Sequence, residues 1–522
     1  MKTRTLTTTL ALALLFVGCN ESAGGADSNP EFANGPSGSA PGSTGVSQGG
    51  AQDFGQFRQI LEAGQLPAPQ TLDALGFFAE HKLDYPAAEC GENLCLHALL
   101  AVQQNLLTGT NCTLVQLGLN SPLQPSELER PPLDLVVAID VSSSMLGDPI
   151  DSVRTGLIRM VDHLQEEDSV SVVTYSSTAS VLAQGVSGGD RAQLVSLFEG
   201  IQARGNTNLF DGLATAFRVA DENRVPEHQT RVIFLSDGVA TAGLRQTGRL
   251  ESLATAYAKR GIGITTIGVG RDFDVETMRG VSEVGAGNFY FLENPLAVEE
   301  VFAEEVQTFL VPVALDVKIE LDMGDAYIVR RVYGTNGWSG GRRGGRIEIP
   351  SLFLAGRQRA SDAIEGGRRG GGGGMLVEIM PRNTMAPVEA PERVGRLLMS
   401  WRDPITGEAK AEEIIVDNPN EPGVIPMNGY FTNFTVEKGF VMLNLLVGFE
   451  IATELARDGD GGTARGVLNA LRTGVSEWLA GQELPDPDIE DDLRYVNMFI
   501  ENLGRLGSPT PVAAPPEPWP YD

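Results

Sequence analysis

Continuous apolar runs, separated by stretches with helical periodicity, mark the middle of the chain. Segments such as LDLVVAID (133–140) and GIGITTIGVG (261–270) are apolar almost throughout and are bounded by turn residues. Strands that lack a polar face are buried on both sides, as in a parallel sheet covered by helices. The alternation of such strands with helices predicts a doubly wound α/β domain over residues 133–310.

The predicted elements of this domain follow one another at short intervals. The strands are predicted at 133–140, 169–176, 231–238, 261–270 and 288–292. The helices are predicted at 149–165, 191–202, 209–223, 274–284 and 295–310, and Pro149 suits the first turn of the first of them.

The hydrophobic pattern changes after residue 311. VALDVKIELD (313–322) alternates apolar and polar residues, which predicts a half-exposed antiparallel strand. Similar runs continue to about Thr435, so a β-sandwich-like or small-barrel region is expected over 311–435. A helical domain is predicted over 436–508. Its first apolar run is shorter than the roughly 20 residues that span a bilayer, which favours a buried core helix. The Pro-rich tail at 509–522 is expected to be disordered.

The first residues have the features of a secretory signal. Two basic residues precede the apolar stretch LALALLFV (10–17), and Gly18 precedes Cys19. This arrangement resembles a bacterial lipobox, which implies a signal peptide at 1–18 and a lipid-anchored Cys19. Cleavage without lipidation, or an uncleaved anchor, is the alternative. Because Asn20 rather than Asp follows the cysteine, we favour an outer-membrane lipoprotein that faces the periplasm or the cell surface.

The segment between Cys19 and the folded body is dominated by small and polar residues. Residues 19–53 are rich in Gly, Ser, Ala and Pro, and such a segment buries too little apolar surface to order itself. We therefore expect a flexible tether there, followed by an N-terminal flanking region at 54–132.

The chain is strongly acidic, with a formal net charge of -29. An acidic surface repels phosphate backbones, which argues against nucleic-acid binding. The charge suits a protein that attracts cations or basic partners, and solubility alone is an equal explanation.

Three cysteines remain beyond Cys19, namely Cys90, Cys95 and Cys112. An exported protein favours one disulfide among them and leaves one thiol, but the spacing does not choose the pair. A zinc site that includes His97 is the alternative. The C-x4-C-x-H spacing matches no common zinc module, so the disulfide is favoured.

Oxygen-bearing side chains gather at the predicted carboxyl ends of strands. Asp140 ends the first strand and is followed at alternate positions by Ser142 and Ser144, Asp237 ends another strand, and Thr207 lies just before a helix. Ligands of open parallel sheets bind beyond the carboxyl ends of the strands. Hydroxyl and carboxylate oxygens select hard cations, so these five residues predict a Mg²⁺ site, with Mn²⁺ or Ca²⁺ as alternatives.

This D-x-S-x-S motif, with the loop threonine and the second strand-end aspartate, resembles the metal-ion-dependent adhesion site of von Willebrand factor type A domains. Ser143 stands where that family usually has Gly. The resemblance implies that Asp140, Ser142, Ser144, Thr207 and Asp237 hold the cation, and that an acidic side chain of a partner protein completes its coordination. The regions around the domain are similar to YfbK-type bacterial lipoproteins.

Two other functions compete with metal-dependent adhesion. One is a metal-independent envelope scaffold. The other is a serine hydrolase that uses one of the serines at 142–144, but a serine nucleophile needs a positioned base. The four histidines lie in no recognisable catalytic motif, and G-x-S-x-G and H-E-x-x-H do not occur. We therefore predict a binding protein and not an enzyme.

Overall fold

The computed structural model describes residues 43–124, 131–237, 240–269, 274–285, 287–292, 301, 312–355, 372–382 and 392–507. Four predicted features lie outside these residues: the signal peptide, the lipidation site Cys19, the Pro-rich tail, and all but residue 301 of the helix predicted at 295–310.

The helices and strands have the following bounds in chain order. The strands are β1 Thr44–Gln48, β2 Gly50–Ala51, β3 Cys95–Gln104, β4 Asn111–Ser121, β5 Leu133–Asp140, β6 Ser169–Tyr175, β7 Ala179–Ser187, β8 Gln229–Ser236, β9 Ile262–Val269, β10 Asn288–Leu292, β11 Pro312–Met323, β12 Tyr327–Tyr333, β13 Trp338–Gly341, β14 Gly344–Leu354, β15 Met375–Pro381, β16 Glu392–Arg402, β17 Ala409–Asn418 and β18 Tyr430–Phe431. The helices are α1 Gly55–Glu62, α2 Ala74–Ala79, α3 Asp148–Val161, α4 Arg191–Glu199, α5 Leu209–Glu222, α6 Thr247–Ala258, α7 Val275–Val284, α8 Phe434–Arg457, α9 Gly461–Ala480 and α10 Pro487–Arg505.

The α/β domain is built on a sheet with the strand order β2-β10-β9-β8-β5-β6-β7. Its pairings are parallel except for the edge strand β7, which runs antiparallel to β6. The central strand β5 is buried along its whole length. Its alternate side chains enter two different hydrophobic clusters, Val137 and Ile139 on one face and Val136 and Ala138 on the other. Helices therefore cover both faces, and the doubly wound prediction is confirmed.

Two elements of this domain were not predicted. Strand β7 is a mostly exposed edge strand and so lacks the continuous apolar run that marks its neighbours. Helix α6 buries only Leu250 and Ala254, which leaves too weak an apolar stripe to signal a helix.

The antiparallel region combines strands from both sides of the α/β domain. Its path is β12-β15-β4-β1-β14-β11-β16-β17, with β13 paired to β14, β3 paired to β4 and β18 paired to β3. Side chains from distant segments, such as Leu117, Ile319 and Leu397, share one hydrophobic cluster. From the sequence, residues 54–132 and 311–435 were predicted to be two separate regions. The structure instead joins them in one sheet, because β4 pairs with β15 over five residue pairs.

The predicted tether ends earlier than expected. Strand β1 is hydrogen-bonded between β4 and β14, and β2 extends the parallel sheet beside β10. The carboxylate of Asp53 accepts hydrogen bonds from the N–H groups of Gly55 (2.9 Å) and Phe291 (3.1 Å). The prediction of a flexible tether was therefore wrong for residues 44–53. Composition could not show this, because backbone pairing with two sheets orders the segment, and the few apolar residues that add packing, such as Val46 and Ala51, form no pattern.

The C-terminal helices pack on the N-terminal flank. Helix α8 is long and apolar enough to cross a membrane by length and composition, but 78% of its most apolar stretch is buried inside the protein. Phe449 of α8 meets Phe57 of α1 with ring centroids 5.1 Å apart. Helix α8 is therefore a core helix, as predicted.

Helix α7 of the α/β domain contacts the rest of the chain through charged groups. Arg279 lies 3.1 Å from the carboxylate of Asp73 and 3.9 Å from that of Glu283. The amide of Asn336 donates to Glu283 (2.8 Å). Burial, reinforced by the nearby carboxylates of Asp73 and Glu251, raises the pKa of Glu283 to about 7 against the lowering effect of Arg279 and Asn336.

Glu283→Gln tests the cost of this charge. The folded pKa of about 7 exceeds the ordinary value of 4.5, so the folded wild type binds more protons and loses stability as pH rises between these values. At pH 8 we expect the free energy of unfolding of the variant to exceed that of the wild type by on the order of 2 kcal/mol. At pH 4 the two free energies of unfolding should be equal. Urea unfolding at both pH values measures this. An equal difference at both would contradict the assignment.

Candidate metal centre

The centre of the site is the place where two neighbouring strands end. Strands β5 and β8 are adjacent and parallel, with Ile139 opposite Leu235. Asp140 is the last residue of β5, and Asp237 follows the last residue of β8. Because parallel strands end at the same sheet edge, the two predicted carboxylates lie side by side.

A short 3-10 turn brings the serines to the same edge. Ser143–Met145 forms this turn, and the fully buried Met145 anchors it in the domain core. The hydroxyl oxygens of Ser142 and Ser144 lie 2.9 Å apart, and Ser144 Oγ donates to Oδ1 of Asp237 (2.8 Å). Both predicted serines and Asp237 therefore form one contiguous set of oxygens.

Asp140 lies beneath this set with no exposed surface. Its Oδ1 accepts the N–H of Ser142 (2.8 Å), and its Oδ2 accepts the hydroxyl of Ser236 (2.8 Å). Burial raises the pKa of Asp140, while the hydrogen bonds from Ser142 and Ser236 oppose this effect. A buried carboxylate held by neutral donors alone is costly, so a nearby cation would stabilise its charge.

Thr207 is placed by a loop that is fixed from two sides. Its N–H donates to Oγ1 of Thr241 (2.9 Å), and its carbonyl accepts the N–H groups of Thr241 (2.9 Å) and Ala242 (3.0 Å). Two residues earlier, Gly205 exchanges two hydrogen bonds with Ser143, through the carbonyl of Gly205 (3.0 Å) and the hydroxyl of Ser143 (3.1 Å). Thr207 is buried at the start of α5.

The supporting roles of three residues were not predicted from the sequence, namely those of Ser143, Ser236 and Thr241. Ser236 adjoins Asp237 in the same strand-end motif, so a search for donors to the first aspartate could have found it. The contact of Thr241 depends on the path of the loop after β8, and nothing in its local sequence signals it.

The oxygen set fits a small hard cation. Oxygen ligands at about 2.0–2.1 Å from an octahedral Mg²⁺ lie about 2.9 Å from their cis neighbours. The spacings from Ser144 to Ser142 (2.9 Å) and to Asp237 (2.8 Å) are hydrogen-bond distances, and they are close enough to this edge length for the same oxygens to contact one cation. The donors are all oxygens, which excludes a preference for soft metals. A bound cation would supply positive charge with open coordination positions.

The cysteines form a separate feature. Cys90 and Cys95 are joined by a disulfide, and Cys112 is a buried free cysteine. Burial raises the pKa of the Cys112 thiol well above its ordinary value, so it stays protonated. Nε2 of His97 instead contacts Asn120 (2.8 Å). With two sulfurs joined to each other, these residues do not form the alternative zinc site.

Comparison with known proteins agrees with the fold of the α/β domain. Residues 134–304 match the family model of the von Willebrand factor type A domain. The chain contains a von Willebrand factor type A (VWA) domain. Such domains generally mediate protein–protein interaction that depends on a metal ion, and they are generally not enzymes.

Relatives with this domain include two bacterial proteins. YfbK of Escherichia coli is 25% identical over 285 residues, which cover 53% of this chain and 49% of that protein. Protein sll0103 of Synechocystis is 24% identical over 211 residues, which cover 40% and 50%. The chain thus spans about half the length of these two relatives. Among solved structures, a von Willebrand factor type A protein from Catenulispora acidiphila has a TM-score of 0.48 at 15% identity. The match covers 75% of this chain and 88% of that one.

Ser143→Ala tests whether the hydrogen bonding between Ser143 and Gly205 positions the predicted metal ligands of the VWA domain. Removing the hydroxyl deletes the acceptor of Gly205 N–H, a bond of about 1 kcal/mol, and loosens the loop that carries Thr207. We expect Mg²⁺ to bind about threefold to tenfold more weakly in isothermal titration. Ser252→Ala, which removes an exposed hydroxyl of α6, is the control. Equal affinities for all three proteins would contradict a positioning role.

Proposed function

We propose that the VWA domain binds Mg²⁺ at Asp140, Ser142, Ser144, Thr207 and Asp237 and thereby captures an acidic side chain of a partner protein. Mn²⁺ and Ca²⁺ share the preference for oxygen ligands and are the alternative cations. The observation that carries the proposal is the contact of Ser142, Ser144 and Asp237 oxygens at octahedral spacing above the buried Asp140.

The number of ligands leaves room for a carboxylate from a partner. Three of the five ligands are neutral hydroxyls and two are carboxylates, so their charge balances a divalent cation, but five ligands leave one position of an octahedron open. Asp140 and Ser142 are buried, whereas Ser144 is exposed, so the site opens to solvent on the side of Ser144. A carboxylate that approaches from this side would complete the coordination.

The remaining features support a location in the bacterial cell envelope. We propose that Cys19 carries a lipid that anchors the protein, in the outer membrane, towards the periplasm or the surface. The disulfide between Cys90 and Cys95 is consistent with an oxidising compartment. The net charge of -29 argues against nucleic acid as a partner.

The positions of the histidines do not support a serine hydrolase. His228 contacts Asp134 near the amino end of β5, at the opposite edge of the sheet from the serines. His81 is buried against Asp492 in the helical region. His163 follows the C-terminal end of α3, whose N-terminal end lies near the site. None of these rings is placed to activate a serine at 142–144.

Asp140→Ala tests the proposal in two measurements. Losing one of two carboxylates should weaken Mg²⁺ binding at least about tenfold in isothermal titration. In a pull-down from envelope extract with residues 43–522 as bait, partners held by wild type in Mg²⁺ should be lost with the variant and in EDTA.

Asp325→Ala is the matched control, because this carboxylate is 96% exposed and lies in the β region. Its Mg²⁺ affinity and its partners should equal those of the wild type. If wild type in Mg²⁺, wild type in EDTA and Asp140→Ala capture the same proteins, the adhesion proposal fails and a metal-independent scaffold is favoured.

A further inference from the structure

A cleft of about 330 Å³ lies in the helical region, on elements that take no part in the metal centre. It is bounded by the end of β3, the strand β18 and the helices α8 and α9. Its lining includes Gln103, Asn428, Phe431, Glu437, Phe440 and Trp478. This volume falls within the range of small-molecule sites, which combine apolar walls with a few polar groups.

The one ionisable group of the lining is the half-buried Glu437. The indole N–H of Trp478 donates to its Oε1 (2.9 Å), and the side chain of Gln482 also hydrogen-bonds to it. Burial raises the pKa of Glu437, and these two hydrogen bonds oppose the effect. Both donors are neutral, so they leave the carboxylate charge uncompensated.

The basic residue nearest to Glu437 in the sequence, Lys438, forms ion pairs with other carboxylates. Lys438 is buried, and its ammonium lies 2.9 Å from Asp486 and 3.0 Å from Asp488. Within the described residues, the carboxylate of Glu437 is hydrogen-bonded but forms no ion pair. Buried charges are normally paired, so the cleft presents a half-buried carboxylate that lacks a counter-ion.

Aromatic rings form much of the remaining wall. Phe431 and Phe440 meet edge to face with centroids 5.8 Å apart, and Phe434 stacks on Trp478 at 6.0 Å. The faces of aromatic rings carry negative potential and attract cations. Among the described residues that line the cleft there is no Lys or Arg, which disfavours phosphate and other anionic ligands.

We propose that this cleft binds an organic ammonium group, with Glu437 as its counter-charge and Phe431, Phe440 and Trp478 as its aromatic walls. The lining also carries the amide side chains of Gln103 and Asn428, whose oxygens are of the kind that accept the N–H groups of a primary ammonium. The ammonium could belong to a free amine or to a lysine side chain of a partner, and both share the chemistry that the cleft recognises. The site is independent of the metal centre.

Isothermal titration of the folded chain tests this proposal. The probes are choline, cadaverine and Nα-acetyl-lysine methyl ester, with glucose as an uncharged comparison. We expect saturable binding of at least one ammonium probe and none of glucose. Cadaverine binding without the lysine ester would assign the site to free amines, and the converse would assign it to a protein lysine. Either result supports the ammonium site.

Glu437→Gln identifies the counter-charge. The glutamine oxygen can still accept the indole N–H of Trp478, so the fold should be kept and the thermal midpoint should not fall. Ammonium binding should weaken at least about tenfold. In the wild type, affinity should also fall as protonation removes the Glu437 charge at acidic pH, and the variant should not show this dependence.

Glu477→Gln is the matched control, since it removes an exposed carboxylate of α9 one residue before Trp478. Its ammonium affinity should equal that of the wild type. The proposal is overturned if no ammonium probe binds below about 10 mM, if glucose binds equally well, or if Glu437→Gln binds as the wild type does.

Discussion

Residues 44–53 form backbone hydrogen bonds with two different sheets. This pairing fixes the position of the VWA domain relative to the β region. β1 is an interior strand of the antiparallel sheet, and β2 is the edge strand of the parallel sheet. Phe353, at the end of β14, strengthens the junction, because it lies in a hydrophobic cluster of the VWA domain beneath the guanidinium of Arg231. The metal centre is therefore carried on a domain that is joined to its neighbours by main-chain pairing and by core packing, and not only by its two chain connections.

Buried charges distinguish structural from functional positions in this protein. In the helical region, the ammonium of Lys438 is paired with the carboxylates of Asp486 and Asp488, and removing one member of such a buried set is costly. Asp140 and Glu437 differ, because the donors found for them among the described residues are neutral. A carboxylate that folding has desolvated without a counter-ion gains most from an added cation. The same physical argument thus supports both proposals, an inorganic cation at Asp140 and an organic cation at Glu437.

The parts of the fold that the sequence predicted are those with local signals. LDLVVAID predicted a buried strand because its side chains, apart from Asp134, are apolar until the terminal aspartate, and the position of that aspartate predicted the site. The joining of β4 to β15, the ordering of 44–53 and the pairing of Cys90 with Cys95 depend on which segments meet in space. The hydrophobic periodicity of a segment does not specify which other segment it pairs with. The exposed strand β7 was missed because its apolar residues, such as Val181, Leu182 and Val186, neither alternate regularly with polar residues nor form one continuous run.

Ser143 shows how a departure from a family motif can be accommodated. Its side chain and its N–H both bond Gly205, whose φ of +92° is one that residues other than glycine rarely adopt. A side chain at position 205 would also crowd Ser176, whose Oγ lies 3.1 Å from the place of an added Cβ. Ser143 and Gly205 therefore act as a pair, and with Thr241 they hold the Thr207 loop before a cation arrives. Ligands fixed in advance lose less conformational freedom on binding, so this pairing favours affinity without adding a ligand.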